Sequence, residues 1–168
     1  MEYLVFSDSH GNPYAMNRIL TAHPHAGGVF FCGDGLRDLI GLSEAFPGIP
    51  IYAVRGNCDY GDIADGVPEE RLLTLEGVRI LLMHGHRYGV KAGMGAALAH
   101  AAAEKADLLL YGHTHFPAVC TERVGESYIT LANPGSIGRA ADGGCRYGVL
   151  TIQKGQFLFS LAESQERM

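Results

Sequence analysis

The chain has 168 residues, 47% of them hydrophobic, and a formal net charge of −5. This length and hydrophobic content suit a single domain spanning residues 1–168 with a substantial core. The negative charge argues against a broad basic surface that would attract a nucleic-acid backbone, so we expect no stable nucleic-acid binding. A small anion can still bind, because metal ions outweigh the net charge inside a site.

The four cysteines contain no Cys-x-x-Cys pair, which disfavours zinc-ribbon and thioredoxin-like folds and predicts a reduced, cytoplasmic protein. The apolar start at Tyr3–Phe6 has no basic segment before it, so no signal peptide is predicted. No apolar stretch approaches the roughly 20 residues of a membrane span. We therefore expect no membrane association.

The first third of the chain alternates short apolar runs with helical patterns. Strands are predicted at Tyr3–Phe6, Val29–Cys32 and Ile51–Val54, with helices at Tyr14–Ala22 and Leu36–Phe46. Pro13 suits the first turn of the first helix. Strand–helix repeats of this kind predict parallel strands joined by crossover helices.

The rest of the chain is richer in strands. Glu76-Gly77 separates two apolar runs and predicts a hairpin, and an alanine-rich helix is predicted at Gly93–Lys105. The predicted strands are Arg71–Leu75, Val78–Met83, Leu108–Tyr111, Ala118–Arg123, Tyr128–Leu131, Gly148–Gln153 and Gln156–Leu161. The polar tail Glu163–Met168 is predicted to fray.

Five short clusters of metal-ligand residues each follow a predicted strand. They are Asp8-Ser9-His10, Gly33-Asp34, Gly56-Asn57-Cys58-Asp59, His84-Gly85-His86 and Gly112-His113-Thr114-His115. Ligands gather beyond the carboxyl ends of strands in α/β sheets, so we expect the clusters to converge. Paired metals roughly 3.5–4 Å apart are a standard device for displacement at phosphorus. Two metals sharing one carboxylate would suit the candidate ligands Asp8, His10, Asp34, Asn57, His84, His113 and His115.

Each cluster alone also has an ordinary structural interpretation. Asp8 could cap the following helix, and Asp34, Asn57 and Asp59 could all form turns. Two histidine pairs after apolar strands are harder to explain without a metal, because a lone histidine is usually structural or exposed. Residues predicted to lie outside the site are His23, His25, His100 and Asp38, the last as a solvated helix residue.

The five clusters in this order resemble the calcineurin-like metallophosphoesterases, most closely the small YfcE-type phosphodiesterases of prokaryotes. The resemblance runs from Ser7-Asp8-Ser9-His10-Gly11 to Asn133-Pro134-Gly135-Ser136. It implies an α/β fold of four layers, αββα, in which two mixed β-sheets are flanked by helices and the site lies at one edge. It also implies two divalent ions, most commonly manganese, with nickel, zinc, iron or magnesium as variants. One ion would take Asp8, His10, Asp34 and His115, and the other would take Asp34, Asn57, His84 and His113, so that Asp34 bridges.

One departure from the wider superfamily bears on catalysis. Most members have Gly-Asn-His followed by an acid where this chain has Gly56-Asn57-Cys58-Asp59, and that histidine is held to protonate the leaving oxygen or to steady the phosphate. Cysteine here is typical of the YfcE-type branch. The catalytic candidates are therefore Asn57, Cys58 as a poor proton donor, His86 as its partial substitute, and Asp59, which would orient His10 or another ligand. The ligand types suit Mn²⁺, Fe²⁺ or Zn²⁺ and favour no thiolate site.

Two arginines are weaker candidates for contact with substrate. Arg55 precedes Gly56, but an arginine at a strand end is usually solvated or ion-paired. Arg139 follows the turn-rich loop Asn133–Ser136, which frames the substrate mouth in relatives.

The resemblance implies a phosphodiesterase in which hydroxide bridging two ions attacks phosphorus in line with the scissile bond. A small soluble diester is the expected substrate, and inorganic phosphate or sulfate is expected to fit the same site. Two alternatives stay open: a phosphomonoesterase acting on nucleotides or sugar phosphates, and a non-catalytic scaffold like the eukaryotic retromer subunit of this fold. Relatives form dimers or tetramers, so a homo-oligomer is also open.

Overall fold

The computed structural model describes residues 1–138 and 144–165. The helices are α1 (Pro13–Ala22), α2 (Asp38–Ala45) and α3 (Gly95–Ala103), with a 3₁₀ turn at His86–Tyr88. The strands are β1 (Glu2–Phe6), β2 (Val29–Phe31), β3 (Ile51–Ala53), β4 (Glu70–Leu75), β5 (Val78–Met83), β6 (Leu108–Leu110), β7 (Ala118–Val124), β8 (Ser127–Asn133), β9 (Gly144–Gln153) and β10 (Gln156–Gln165). Within the described ranges, every helix is too short or too polar to cross a membrane.

The strands form two five-stranded mixed sheets. The first has the order β10-β9-β1-β2-β3 and the second β4-β5-β6-β8-β7. The pairs β1–β2 and β2–β3 are parallel, which confirms the prediction from the strand–helix repeats. The predicted hairpin is also confirmed, since β4 and β5 pair antiparallel.

Alternation along the strands sorts their side chains between layers. In β1, Tyr3 and Val5 face the core between the sheets, whereas Leu4 and Phe6 pack with residues of α1 and α2. In β5, Ile80 belongs to the core between the sheets, whereas Leu81 packs with residues of α3. Two sheets thus share one inner core, and helices cover both outer faces. The predicted four-layer αββα sandwich is confirmed.

The end of the chain differs from its prediction. Residues from Glu163 were expected to fray, but β10 continues to Gln165 and pairs with β9, which begins at Gly144 rather than Gly148. Arg146 also lies 3.8 Å from Glu163, an ion pair across the two strands. Polar composition predicted fraying because the stabilising partner is distant in sequence. Residues 166–168 lie outside the described part.

The topology sets where the site must form. Parallel strands place their carboxyl ends at the same edge of a sheet, and β1, β2 and β3 run parallel in one sheet as β5 and β6 do in the other. Each of these strands ends within a few residues of one ligand cluster. The two sheets therefore present their ligands at a common edge.

Candidate metal centre

Three of the seven predicted ligands form one half of the centre. His10 Nε2 lies 3.2 Å from His115 Nε2, and the two rings are inclined with their centroids 5.1 Å apart. Asp8 Oδ1 lies 3.2 Å from His115 Nε2 and 3.7 Å from His10 Nε2. The carboxylate is fully buried, while both imidazoles are partly exposed. A buried anion and two imidazoles therefore face one point.

The other four ligands form the second half around His84. Its Nε2 lies 3.2 Å from Asp34 Oδ2, 3.0 Å from Asn57 Oδ1 and 3.2 Å from His113 Nδ1. Its Nδ1 donates a hydrogen bond of 2.7 Å to the Cys32 carbonyl. Because that nitrogen carries the proton, Nε2 is free to bind a metal, an orientation common among ligating histidines.

Asp34 connects the two halves. Its carboxylate belongs to a ligand group with His84 and His113, and to a second group with His10 and Cys58. The backbone N–H of Cys58 donates a 2.8 Å hydrogen bond to Asp34 Oδ1, while Oδ2 faces His84. The position suits a carboxylate shared between two cations.

The donor set fits divalent metals. Asp8 Oδ1 is buried and accepts no hydrogen bond from any residue the structure describes. A buried charged oxygen without a partner is costly unless a cation neutralises it. Imidazole nitrogens facing one another at 3.2 Å are likewise typical of ligands that share an ion rather than a proton. Oxygen and nitrogen donors of these types suit Mn²⁺, Fe²⁺ and Zn²⁺.

The titration behaviour of the ligands follows from their neighbours. Burial would raise the pKa of Asp8, but the His10 and His115 imidazoles bring that pKa well below its usual range. Burial and the neighbouring His84 lower the pKa of His113 to about 4. Burial opposes charge on His84 too, yet the Asp34 carboxylate raises the pKa of that imidazole. Asp8 is thus ionised and His113 neutral at pH 7, the forms that bind metals.

Most of the ligand positions have an unusual backbone. Five of the seven have a positive φ: Asp8 at 54°, His10 at 46°, Asp34 at 62°, His113 at 68° and His115 at 63°. In the described residues, the other non-glycine positions with positive φ are Glu76, Lys105 and Lys154. Left-handed backbone costs a non-glycine residue about 1–3 kcal/mol and persists where surrounding contacts impose it. Its concentration here supports a functional role for these loops.

Two glycines allow the backbone to approach the carboxylates closely. A Cβ on Gly56 would overlap Asp34 Oδ1, and a Cβ on Gly112 would overlap the Ser7 hydroxyl beside Asp8. Ser7 itself donates a hydrogen bond to Asp8 Oδ2. The glycines are therefore required by the site and not only by local turns.

Asp59 positions the ligand loops through backbone contacts. Its two carboxylate oxygens accept hydrogen bonds of 2.8–2.9 Å from four backbone N–H groups, those of Asp34, Gly35, Leu36 and Gly56. Asp59 was predicted to orient His10 or another ligand; the ligand it contacts is Asp34, through the backbone N–H, and no ligand imidazole donates to it among the described residues. The carboxylate instead ties the Asp34 loop to the Gly56 loop.

Asp38 was expected to be a solvated helix residue, which is wrong. Its Oδ2 accepts hydrogen bonds from the Ser9 hydroxyl at 2.6 Å and from the Gly11 backbone N–H at 2.9 Å. It therefore anchors the loop that carries Asp8 and His10. No sequence pattern pointed to this contact, because the partners are far apart in the chain.

The Asn133–Ser136 loop supports the ligand loops through hydrogen bonds from buried side chains. Asn133 is fully buried, and its Nδ2 donates to the Gly112 carbonyl and to the Thr114 hydroxyl, each at 3.0 Å. The Ser136 hydroxyl donates a 2.8 Å hydrogen bond to the Asp8 carbonyl. Sequence reasoning placed this loop at the substrate mouth and missed its supporting role. Arg139, named there as a substrate contact, lies outside the described residues.

The remaining catalytic candidates lie around the mouth of the centre. Cys58 is exposed, and Asn57 Nδ2 lies 3.5 Å from its sulfur. The His86 ring is 5.4 Å from that of His84 and 6.2 Å from that of His113. Burial and His84 lower the pKa of His86, which favours its neutral form. Arg55 is ion-paired, with its guanidinium 3.5 Å from Glu69.

The three histidines assigned no site role have other surroundings. His23 Nδ1 lies 2.8 Å from Glu2 Oε1. His100 Nε2 lies 3.1 Å from Glu70 Oε1, and its ring stacks on Tyr88. His25 is exposed in the turn before β2.

Two cavities open beside the centre. One, of about 220 Å³, is lined by residues that include His10, Asp34, Cys58 and Tyr60. The other, of about 490 Å³, is lined by residues that include Glu69, His86, Arg87 and Tyr88. The first includes the ligands His10 and Asp34 in its lining. The second includes none of the seven ligands and is bordered by His86, whose ring lies 5.4 Å from that of His84.

Comparisons with known proteins find similar chains. Residues 1–155 match the model of the calcineurin-like phosphoesterase superfamily domain. The chain is 35% identical over 140 residues to the Bacillus subtilis "Probable metallophosphoesterase YsnB", covering 82% of this chain and 75% of that protein. It is 30% identical over 174 residues to the phosphodiesterase YfcE of Escherichia coli K12, covering 89% of this chain and 87% of that protein. A solved predicted phosphoesterase from Streptococcus pneumoniae superposes with a TM-score of 0.76 at 30% identity, covering 95% of this chain and 87% of that one.

Proposed function

The chain belongs to the calcineurin-like phosphoesterase superfamily, and on that premise we propose that it is a phosphodiesterase with a centre of two divalent metal ions. The observation that carries the proposal is the convergence of seven ligands into two groups that meet at Asp34. One ion would be held by Asp8, His10, Asp34 and His115, and the other by Asp34, Asn57, His84 and His113. Manganese is the metal we propose, and the resemblance predicted from the sequence is confirmed at the level of the family.

The charges of the ligands suit an anionic substrate. When bound, the ions supply Lewis-acid chemistry that activates water and neutralises phosphoryl oxygens. Asp8 and Asp34 contribute the centre's two carboxylates, and Asn57 contributes a neutral amide oxygen. Because two carboxylates do not cancel two dications, the centre keeps a positive field for a phosphate ester. We propose that inorganic phosphate or sulfate competes for the same position.

The two cavities support a diester over a monoester. A diester carries two organic groups on phosphorus, and this centre has space beside His10 and Asp34 as well as beside His86. A monoester would need only one of these spaces. Cys58 is exposed next to the ligand Asn57 and is a weak acid, so leaving groups of low pKa, such as aryl alcohols, should depart most readily.

Hydrolysis assays on reloaded protein test the proposal. Metal-stripped protein is reloaded with Mn²⁺, Ni²⁺, Zn²⁺ or Mg²⁺ and supplied with bis(p-nitrophenyl) phosphate or p-nitrophenyl phosphate. Metal-dependent turnover that favours the diester is expected. Asp34→Asn should lower the rate by at least about a hundredfold, because one charge-stabilising group is worth about 10²–10³ in rate. The exposed Asp65 offers a matched control, and Asp65→Asn should stay within about twofold of wild type.

Other outcomes separate the alternatives. Turnover of the monoester alone would identify a phosphomonoesterase acting on nucleotides or sugar phosphates. Absence of turnover in protein shown to hold metal would favour the non-catalytic scaffold instead. We further propose a cytoplasmic location, which the four free cysteines support, and a homo-oligomer, which sedimentation of the purified protein would test.

A further inference from the structure

We propose that Cys58 is a conditional sulfur ligand, which joins His10 and Asp34 to bind thiophilic divalent ions such as Zn²⁺ and Cd²⁺ and stays unligated with Mn²⁺. The inference rests on the proposed function only in that His10 and Asp34 are shared with the proposed dinuclear centre. It adds a residue that the ligand set implied by the family does not contain.

The geometry places the sulfur within reach. A ring nitrogen of His10, a carboxylate oxygen of Asp34 and the Sγ of Cys58 all lie within 4.8 Å of one another. Tetrahedral zinc with bonds of about 2.0–2.3 Å keeps its ligands about 3.3–3.8 Å apart. The sulfur would therefore need to approach the other two atoms by at most about 1 Å, a movement that rotation of the exposed Cys58 side chain can provide. Its backbone is held in place, because its N–H donates to Asp34 Oδ1 at 2.8 Å.

The surroundings also favour a cation at this position. The cavity of about 220 Å³ is lined by His10, Asp34 and Cys58, which leaves room for an ion and its waters. The fully buried Asp8 points its Oδ1, which accepts no hydrogen bond from the described residues, toward His10 Nε2 at 3.7 Å. The Asp8 carboxylate therefore adds negative charge next to His10, the ligand that the sulfur would share.

The other cysteines lack such a setting. Cys32 and Cys145 are buried, whereas Cys120 is exposed on β7. In the part of the chain that the structure describes, Cys58 is the cysteine that shares a ligand group with a histidine and a carboxylate. Cys120 is therefore a matched control for exposure and chemistry.

Ligand softness determines which ions would use the sulfur. Thiolates favour zinc and its heavier congener cadmium, whereas carboxylate and carbonyl oxygens suit manganese. Coordination forms a metal–sulfur bond and releases the thiol proton to solvent. An ion bound this way would lie toward the cavity, in space the substrate needs. Excess Zn²⁺ or Cd²⁺ should thus inhibit the Mn²⁺-loaded protein through Cys58.

Absorption spectroscopy of cobalt-substituted protein tests the inference without using activity. Co²⁺ bound to a thiolate shows a ligand-to-metal charge-transfer band in the near ultraviolet, whereas its visible bands arise from any ligand set. We expect the charge-transfer band in wild type and in Cys120→Ser, and its loss with the visible bands retained in Cys58→Ser. Loss of a residue that only hydrogen-bonds to a metal ligand costs about 10–100-fold in metal affinity. Loss of a direct ligand should cost no less, so Cys58→Ser should weaken Cd²⁺ binding by at least about tenfold.

Alkylation of the wild-type protein provides a second measurement that needs no variant. Saturating Cd²⁺ should protect Cys58 from N-ethylmaleimide, as followed by peptide mass spectrometry, and leave Cys120 reacting at its metal-free rate. Mn²⁺ should protect neither residue. A charge-transfer band that is absent in wild type or persists in Cys58→Ser would overturn the inference, as would unchanged alkylation of Cys58 under Cd²⁺. Diester hydrolysis without the band would overturn this inference alone, and the band without hydrolysis would overturn only the proposed function.

Discussion

Asp59→Asn is the substitution that most directly tests how the ligand loops are held. The wild-type carboxylate accepts four backbone hydrogen bonds, two at each oxygen. An asparagine keeps the shape but replaces one oxygen by an NH₂ group. That group cannot accept from the two N–H donors it faces, and the negative charge is also removed. The variant thus alters hydrogen bonding with little change in packing.

The magnitude follows from the number of bonds lost. A hydrogen bond to a charged group contributes about 1.5–3 kcal/mol, and the lower end suits the partly exposed Asp59. Losing two such bonds should lower the free energy of unfolding by about 3 kcal/mol. Metal affinity should also fall, by about tenfold or more, because three of the four donors lie in the Asp34–Leu36 segment, which contains the ligand Asp34.

Urea denaturation of metal-free protein, followed by circular dichroism, measures the first effect, and titration calorimetry with Mn²⁺ measures the second. Asp65→Asn removes an exposed aspartate charge from the same region of the chain and should change stability by no more than about 0.5 kcal/mol. If Asp59→Asn unfolds with the same free energy as Asp65→Asn, the carboxylate does not anchor these loops and the argument fails.

Two further predictions concern the centre itself. Gly56→Ala should abolish metal-dependent hydrolysis because its Cβ would overlap Asp34 Oδ1. The control Gly41→Ala in α2 has open space around its Cβ and should retain activity. Hydrolysis assays on the two folded variants test this difference. In metal-free protein, the pKa of His113 is lowered to about 4. The unfolded chain binds that proton near pH 6.5, so the free energy of unfolding should fall as pH drops from about 6.5 toward 4. His113→Gln should make denaturation curves at pH 7 and pH 5 differ less than in wild type, and an equal or larger difference would contradict this assignment.

Local sequence patterns were sufficient to predict the helices and strands and to identify the candidate ligands. Apolar runs of a few residues, each followed within four residues by a ligand residue, marked the ends of β1, β2, β3, β5 and β6. Helix bounds were predicted to within about two residues, a normal error because helix ends depend on capping contacts. The convergence of the ligands could be anticipated from the rule that parallel strands share a carboxyl edge.

Contacts between distant segments could not be anticipated in this way. Asp38 and Asp59 look like ordinary helix and turn residues in sequence, yet each carboxylate binds the backbone of a ligand loop. Asn133 is part of a turn-rich motif whose buried side chain holds the His113 loop. The polar residues of β10 from Glu163 form a strand because β9 provides hydrogen-bond partners.

The sequence by itself determined which side chains are available as ligands and which strands deliver them, since both depend on residue type and short-range periodicity. Tertiary structure decided the distances between those ligands, the left-handed backbone that aims five of them, and the position of Cys58 beside His10 and Asp34. These properties arise from hydrogen bonds and packing between residues far apart in the chain. Short-range periodicity carries no information about such contacts, because their energies depend on positions that only the folded chain brings together.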